Sequence, residues 1–217
     1  METPVLSLKD FQDFFKDVYE PSEDSFLLLD AIEQDLNHLK SLNPLFVVEV
    51  GCGSGIISTA VRKSLGSGSF FLATDINPRA GDCCLECTRL NGVKDEVQVV
   101  LTDLTSALED RLENQIDILM FNPPYVPTED GQDQDNKISL SRSGGHQGME
   151  TTNRLLDRIP RLLSSTGVFY LVLLKENDIQ SVMKKLKCCG LESRVILKRK
   201  CGREDLYVLS GNKSRLN

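Results

Sequence analysis

The side chains with the most specific chemistry sit in one tetrapeptide, Asn122-Pro123-Pro124-Tyr125. Consecutive prolines fix the backbone and remove two N–H donors, so the carbonyls there are left to accept. The Asn122 side-chain oxygen and the Pro123 carbonyl can together hold both hydrogens of an NH2 group. That aims the nitrogen lone pair at an electrophile. Tyr125 offers an aromatic face for a flat group. Asn-Pro and Pro-Pro also mark ordinary turns, but this motif closes an apolar run, where a crevice is expected.

A second set of residues can bind a nucleoside. Glu49-Val50-Gly51-Cys52-Gly53-Ser54-Gly55 follows one apolar run and opens a helical pattern. Glycines there let a ligand approach the backbone, and a helix amino end favours an anion. The spacing is G-x-G-x-G, one residue short of the G-x-G-x-x-G dinucleotide fingerprint. Asp75 ends the next apolar run and can accept from both ribose hydroxyls of an adenosine. Asp103 ends the third and can accept from the adenine amino group, with the Leu104 N–H beside it. Helix capping is the competing explanation for both acids, with Asn77 before Pro78 as the expected cap. Three acids, Glu49, Asp75 and Asp103, at the ends of three consecutive strands converge on one crevice, which capping alone does not explain.

An adenosine site beside an NH2 holder suits methyl transfer from S-adenosylmethionine, with S-adenosylhomocysteine as product. The sulfonium already activates the methyl, so the protein must align nitrogen, carbon and sulfur and exclude water. Positioning of that kind contributes up to ~7–11 kcal/mol. An amide nitrogen is a poor nucleophile, and acceptors on both its N–H bonds return charge to it. The sequence offers no candidate general base.

The elements that must position these residues follow a regular rhythm. Strand-like runs cover Leu45–Val50, Ser69–Thr74, Glu96–Thr102, Ile116–Phe121 and Gly167–Leu174. Helical spacing covers Gly55–Leu65, Pro78–Asn91, Thr105–Glu113 and Met149–Leu163. Strand alternating with helix predicts a parallel sheet covered on both faces, and runs such as LFVVEV and IDILMF are apolar throughout, as doubly covered strands are. Helical Ile179–Cys189 is followed by strand-like Glu192–Arg199 and Leu206–Leu209 around Cys201-Gly202-Arg203-Glu204, a hairpin that brings in an antiparallel strand. The expected fold is α/β: a Rossmann-like class I methyltransferase, seven strands mostly parallel, with an antiparallel C-terminal hairpin. Pro21–Lys40 reads as an amphipathic helix, with Leu28, Leu29, Ile32, Leu36 and Leu39 on one face and Ser22, Glu23 and Asp24 at its positive end. One domain spanning 1–217 is expected, with residues 1–40 a helical extension over the cofactor site. Thr128–Gly145 is the one long polar loop.

Composition narrows the function classes. The net charge is -7, which lowers the odds of a chain that grips a phosphate backbone and suits a protein substrate. No apolar stretch approaches the ~18 residues that span a bilayer. Seven cysteines without an export signal predict reduced thiols in a cytoplasmic or nuclear protein. Cys84 and Cys87 read as small buried apolars, so no metal site is expected. Lys184–Lys187 and Lys198–Lys200 read as solvated faces.

The combination Asp17-Val18-Tyr19-Glu20-Pro21-Ser22-Glu23-Asp24-Ser25-Phe26-Leu27-Leu28-Leu29, then EVGCGSG, Thr74-Asp75-Ile76-Asn77-Pro78, Thr102-Asp103-Leu104 and NPPY resembles the HemK-type N5-glutamine methyltransferases. The similarity is nearest to the short eukaryotic branch that acts on the Gly-Gly-Gln loop of the translation release factor. It runs from about Asp17 to near Val208. The resemblance implies a cofactor site of Tyr19, Pro21, Ser25, Glu49, Gly51, Gly53, Gly55, Asp75, Ile76, Asp103, Leu104 and Asn122. It implies catalytic roles for Asn122, Pro123 and Tyr125, and substrate contacts for these and Pro124. Gly144, Gly145 and Gly148 resemble the family's glycine-rich substrate loop, and the resemblance implies a small zinc-binding activator subunit on an apolar sheet edge. Two other targets stay open at this point, a histone lysine and an adenine amino group in nucleic acid. A non-enzymatic binding subunit ranks last, because the glycine loop and NPPY are intact.

Overall fold

The computed structural model describes residues 1–94, 96–125 and 148–214. Five strands, joined by helices except between the third and fourth, precede a C-terminal hairpin: β1 (Phe46–Val50), β2 (Phe70–Asp75), β3 (Val97–Leu101), β4 (Ile116–Phe121), β5 (Leu163–Leu174), β6 (Leu191–Cys201) and β7 (Glu204–Lys213). They form one sheet in the order β3-β2-β1-β4-β5-β7-β6. β1 to β5 pair in parallel, and β7 runs antiparallel to both neighbours. The expected mostly parallel seven-stranded sheet with its antiparallel hairpin is what forms.

The continuous apolar runs alternate in space. On β5, Val168, Tyr170, Val172 and Leu174 enter the core on one face; Phe169, Leu171 and Leu173 enter the core on the other. Both faces must therefore be apolar, which is why no polar alternation marks these strands. After a short α1 (Leu8–Phe11), the first face is covered by α2 (Glu23–Gln34), α3 (Leu36–Ser41), α4 (Ile56–Leu65) and α5 (Pro78–Leu90). The second lies under α6 (Glu150–Leu156), α7 (Ile159–Leu162) and α8 (Ile179–Cys188), which contribute Leu155, Ile159 and Leu186.

Four elements differ from expectation. The helix expected over Met149–Leu163 is two helices, because Pro160 has no N–H and its ring would crowd the carbonyl four residues back; it serves in the first turn of α7 instead. The helix expected over Pro21–Lys40 starts at Glu23 and breaks at Asp35, whose carboxylate takes the Tyr170 hydroxyl at 3.0 Å and Arg194 at 3.3 Å. Thr105–Glu113 forms successive turns between two left-handed residues, Leu104 (φ 53) and Asn114 (φ 56). Its apolar spacing is nonetheless used, since Leu104, Leu108 and Leu112 are all buried. β5 begins at Leu163 rather than Gly167: the register steps from Ile116–Leu163 to Ile118–Val168, and a Cβ at Gly167 would strike the Ile116 carbonyl.

The N-terminal residues pack across α5. Phe11 and Val18 share a small core with Ala80, Cys83 and Cys87. Cys83, Cys84 and Cys87 are fully buried, as small apolar residues, and no group of three or more potential ligands could hold a metal among the described residues.

Candidate active site

Order reversal between β1 and β4 leaves a crevice at the carboxyl ends of the parallel strands, the place where open α/β sheets bind ligands. A cavity of about 550 Å³ lies there, within the ~300–1,000 Å³ of small-molecule sites. Of the residues expected to hold a cofactor, Tyr19, Pro21, Ser25, Glu49, Gly51, Gly53, Asp75, Ile76, Asp103, Leu104 and Asn122 line it, and so does Pro124. Gly55, Pro123 and Tyr125 do not.

Each strand end has a local reason for its shape. Gly51 (φ 65), Gly53 (φ 49) and Gly55 (φ 77) are all left-handed, so the turn from β1 into α4 requires glycine three times. Gly55 works beneath the loop: a Cβ there would come within 2.6 Å of the Cys84 Cα on α5. Asp75 holds the loop from the next strand. Its Oδ2 accepts from the Gly53 N–H at 3.0 Å and its Oδ1 from the Asn77 N–H at 2.9 Å. A carboxylate has further lone pairs beyond these two bonds, so ribose hydroxyls can still be accepted. Asn77 caps α5 by accepting from the Arg79 N–H at 3.0 Å, as its position before Pro78 predicts. Burial pushes the Asp75 carboxyl above its ordinary value, partly offset by the backbone donors.

Glu49 is buried, and its Oε2 accepts from the Ser58 N–H at 2.9 Å and from the Ser58 hydroxyl. Burial pushes its carboxyl up to about 8, against the two Ser58 donors. The folded chain therefore holds a proton that the unfolded chain has lost, between its ordinary value of 4.5 and about 8. Stability from this group falls as pH rises through that window. Glu49→Gln keeps the shape and removes the titration. In thermal melts of the cofactor-free chain, the wild type is expected to lose more melting temperature than Glu49→Gln between about pH 6 and about pH 8.5. Parallel curves would show that the Glu49 carboxyl does not titrate there.

At the third strand end, Asp103 forms an ion pair with Arg154 of α6, and Arg154 and Thr151 also line the cavity. Leu104 holds a left-handed backbone without being glycine, a cost of about 1–3 kcal/mol that its buried side chain offsets. Asp75 and the protonated Glu49 lie beside it, so the crevice offers carboxyl groups as hydrogen-bond partners for a nucleoside.

The fourth strand end carries Asn122. Its Nδ2 donates to Asp24 Oδ2 at 3.1 Å, and its Oδ1 is buried with no hydrogen-bond partner among the described residues. Tyr125 does not present a free hydroxyl: it is 8% exposed and donates to the same Asp24 oxygen at 2.8 Å. Burial, then the Asp24 charge, pushes this phenol well above its ordinary value. Gly148 (φ 69) packs against the Tyr125 carbonyl so closely that a Cβ would overlap it, and the Asn177 amide donates to that carbonyl at 3.3 Å. The Thr128–Gly145 loop, with Gly144 and Gly145, lies outside the described residues.

Asp24 is the site residue that sequence reasoning missed, having been read as a helix-dipole acid. Besides Asn122 and Tyr125 it accepts from the Ser25 N–H at 2.6 Å, the Ser25 hydroxyl at 3.2 Å and the Tyr19 hydroxyl at 3.2 Å, and it is 4% exposed. Its signal was present: Leu27, Leu28 and Ala31 follow at the three-, four- and seven-residue steps of one helix face, so Asp24 belongs to the buried stripe.

The cavity, the left-handed glycines and the acids fit a nucleoside ligand such as the adenosine of S-adenosylmethionine, and the chain is similar to known methyltransferases. The model of the methyltransferase small domain matches residues 24–139. Methyltransferase HEMK2 of Homo sapiens is 42% identical over 200 residues, covering 92% of each chain. The eRF1 methyltransferase catalytic subunit mtq2 of Schizosaccharomyces pombe is 39% identical over 223 residues, covering 96% of this chain and 94% of that one. Among solved structures, the E. cuniculi Mtq2–Trm112 complex, responsible for methylation of the eRF1 translation termination factor, superposes with a TM-score of 0.68 at 29% identity over 91% of this chain and 99% of that one. This chain belongs to the methyltransferase small-domain family and, within it, to the group that contains HEMK2 and mtq2.

Proposed function

We propose that this chain transfers a methyl group from S-adenosylmethionine to the side-chain amide nitrogen of a glutamine, in the Gly-Gly-Gln loop of a translation release factor. The observation that carries this reading is the buried, unpartnered Asn122 Oδ1 at the edge of the cavity. A buried acceptor without a donor costs roughly 1–3 kcal/mol, and a substrate N–H supplies that donor. The Pro123 carbonyl takes the second N–H, so the amide nitrogen is held by both hydrogens with its lone pair free.

S-adenosylmethionine, when bound, supplies a methyl on a sulfonium that needs no further activation. Asp75 and Ile76 would hold its ribose and adenine side, Asp103 and Leu104 its adenine edge, and Ser25 with Pro21 its methionine end. Arg154 must share Asp103 with the adenine amino group. Glu49 keeps its proton at neutral pH in the cofactor-free chain, so charge complementarity to the cofactor rests on Asp75 and Asp103.

The net charge of -7 also counts against nucleic acid as substrate. Three of the four basic residues of β6, Arg194, Arg199 and Lys198, are engaged by Asp35, Asp30 and Asp205, which weakens the case for a phosphate groove there. The solved relative is a complex with Trm112, and we propose a heterodimer here too, with a small zinc-binding activator. β3 is an open sheet edge, and Leu101 on it and Leu85 on the adjoining α5 are 56% and 46% exposed. A natural sheet rarely leaves such an edge uncovered.

The test is mass spectrometry of a Gly-Gly-Gln fragment incubated with this chain, its activator and S-adenosylmethionine. The expected result is a gain of one CH2 on the glutamine. A fragment left unmodified by a cofactor-bound complex would refute the glutamine reading.

A further inference from the structure

We propose that Asp24 is a positioning residue: it fixes the Asn122 side chain with its oxygen, not its nitrogen, toward the methyl acceptor. This deepens the reading above and rests on it, because it concerns how the same site selects an NH2 group.

A primary amide has two ends of nearly equal shape, one that accepts and one that donates. Packing alone does not choose between them; the hydrogen-bond network does. Among the described residues five donors converge on Asp24: the Ser25 N–H and hydroxyl and the Tyr19 hydroxyl on Oδ1, and the Asn122 amide and Tyr125 hydroxyl on Oδ2. That is the pattern of an acceptor-only carboxylate. The end of Asn122 that faces it must be Nδ2, so Oδ1 must take the opposite direction, where it is buried and unpartnered. Reversing the amide would set an oxygen against a carboxylate oxygen and leave two N–H groups facing a substrate that is itself a donor.

The carboxylate cannot be replaced by its own amide. Asparagine at position 24 brings an NH2 end that must face one of the two donor sets. Against Ser25 it meets a backbone N–H that cannot turn away. Against Asn122 and Tyr125 it meets a hydroxyl that can rotate to accept and an amide that can flip. The second arrangement is the one with an escape, and it reverses Asn122. Tyr19 and Ser25 line the cofactor cavity, so one buried carboxylate joins the cofactor wall to the acceptor.

The experiment uses the full chain with its activator, as wild type, Asp24→Asn, Asn122→Ala and the double variant. Three quantities are read: S-adenosylmethionine affinity by calorimetry, kcat and KM on the Gly-Gly-Gln fragment, and the side-chain amide resonances of Asn122 in asparagine-labelled protein. In the wild type those resonances are expected to be protected from solvent exchange; freely exchanging signals would overturn the proposal without any Asp24 variant. In Asp24→Asn the resonances move, kcat falls roughly 100-fold, and KM and cofactor affinity stay within roughly tenfold. The double variant is expected to be no slower than Asn122→Ala, because Asp24 acts through Asn122. An unchanged kcat in Asp24→Asn, or losses that multiply in the double variant, would overturn it. If the wild type leaves glutamine unmodified while the resonances behave as expected, positioning stands and the substrate reading falls.

Discussion

Replacing Asn122 by alanine is expected to lower kcat for glutamine methylation by roughly 100- to 1,000-fold, the usual loss when one preorganised hydrogen-bonding group is removed from a charge-developing centre. Cofactor affinity should change by less than about tenfold, the value of one ordinary hydrogen bond. The asymmetry follows from where the two ends of Asn122 go. Nδ2 is spent on Asp24, whereas Oδ1 is buried and waits for a donor. An amide nitrogen gains nucleophilicity only as its N–H bonds are polarised, so the contact strengthens towards the transition state and appears in kcat. Steady-state kinetics with calorimetry on the same samples checks this. A kcat within about threefold of wild type would mean that the Pro123 carbonyl alone holds the acceptor.

Gly55→Ala is expected to be the most damaging single methyl group that can be added to the cofactor loop. The backbone there has φ 77, a conformation that costs an alanine about 1–3 kcal/mol. The new Cβ would also lie 2.6 Å from Cys84 Cα and 2.6 Å from its Sγ, so α5 itself must move, at roughly 1–3 kcal/mol more. Together these predict a fall of the order of 10 °C in melting temperature. The displacement has a functional side, because Asn77 caps the same helix and Asp75 bonds the Asn77 N–H. Cofactor affinity should therefore fall with stability. Gly92→Ala is the control: φ is 76, but nothing lies within 4 Å of its Cβ, so only the backbone strain remains. Equal melting temperatures for the two variants would show that α5 yields without cost.

The positions of the acids and of Asn122 were legible because they are fixed by two short-range rules. Strands buried on both faces announce themselves as apolar runs, and a polar residue that closes such a run must sit at the sheet's carboxyl edge. Asp75, Asp103 and Asn122 were found this way, and all three line one cavity. Asp24 was not found, because its partners lie far along the chain: Asn122 and Tyr125 are 98 and 101 residues away. A helical stripe shows that a residue is buried but not what it meets. The Tyr125 hydroxyl's bond to Asp24 was hidden for the same reason. The Pro160 break was a local event and could have been read from the rule that proline ends a helix. The step in register before Gly167 could not, since it depends on the Ile116 carbonyl of a neighbouring strand.

The order of the last strands bears on how the molecule is made. β6 is synthesised before β7, yet it touches the sheet only through β7, which lies between it and β5. No part of β6 can dock until the chain beyond Gly202 is available, and until then β5 keeps an open edge while β6 has no partner on either side. The parallel half of the sheet can form as it emerges, but this half must wait for a non-local pairing, the slow kind of step. A nascent chain paused between the two strands carries two incompletely paired strands at once, one of them containing the largely apolar Val168–Leu174 run. That interval is when the protein is most exposed to aggregation and most in need of a chaperone.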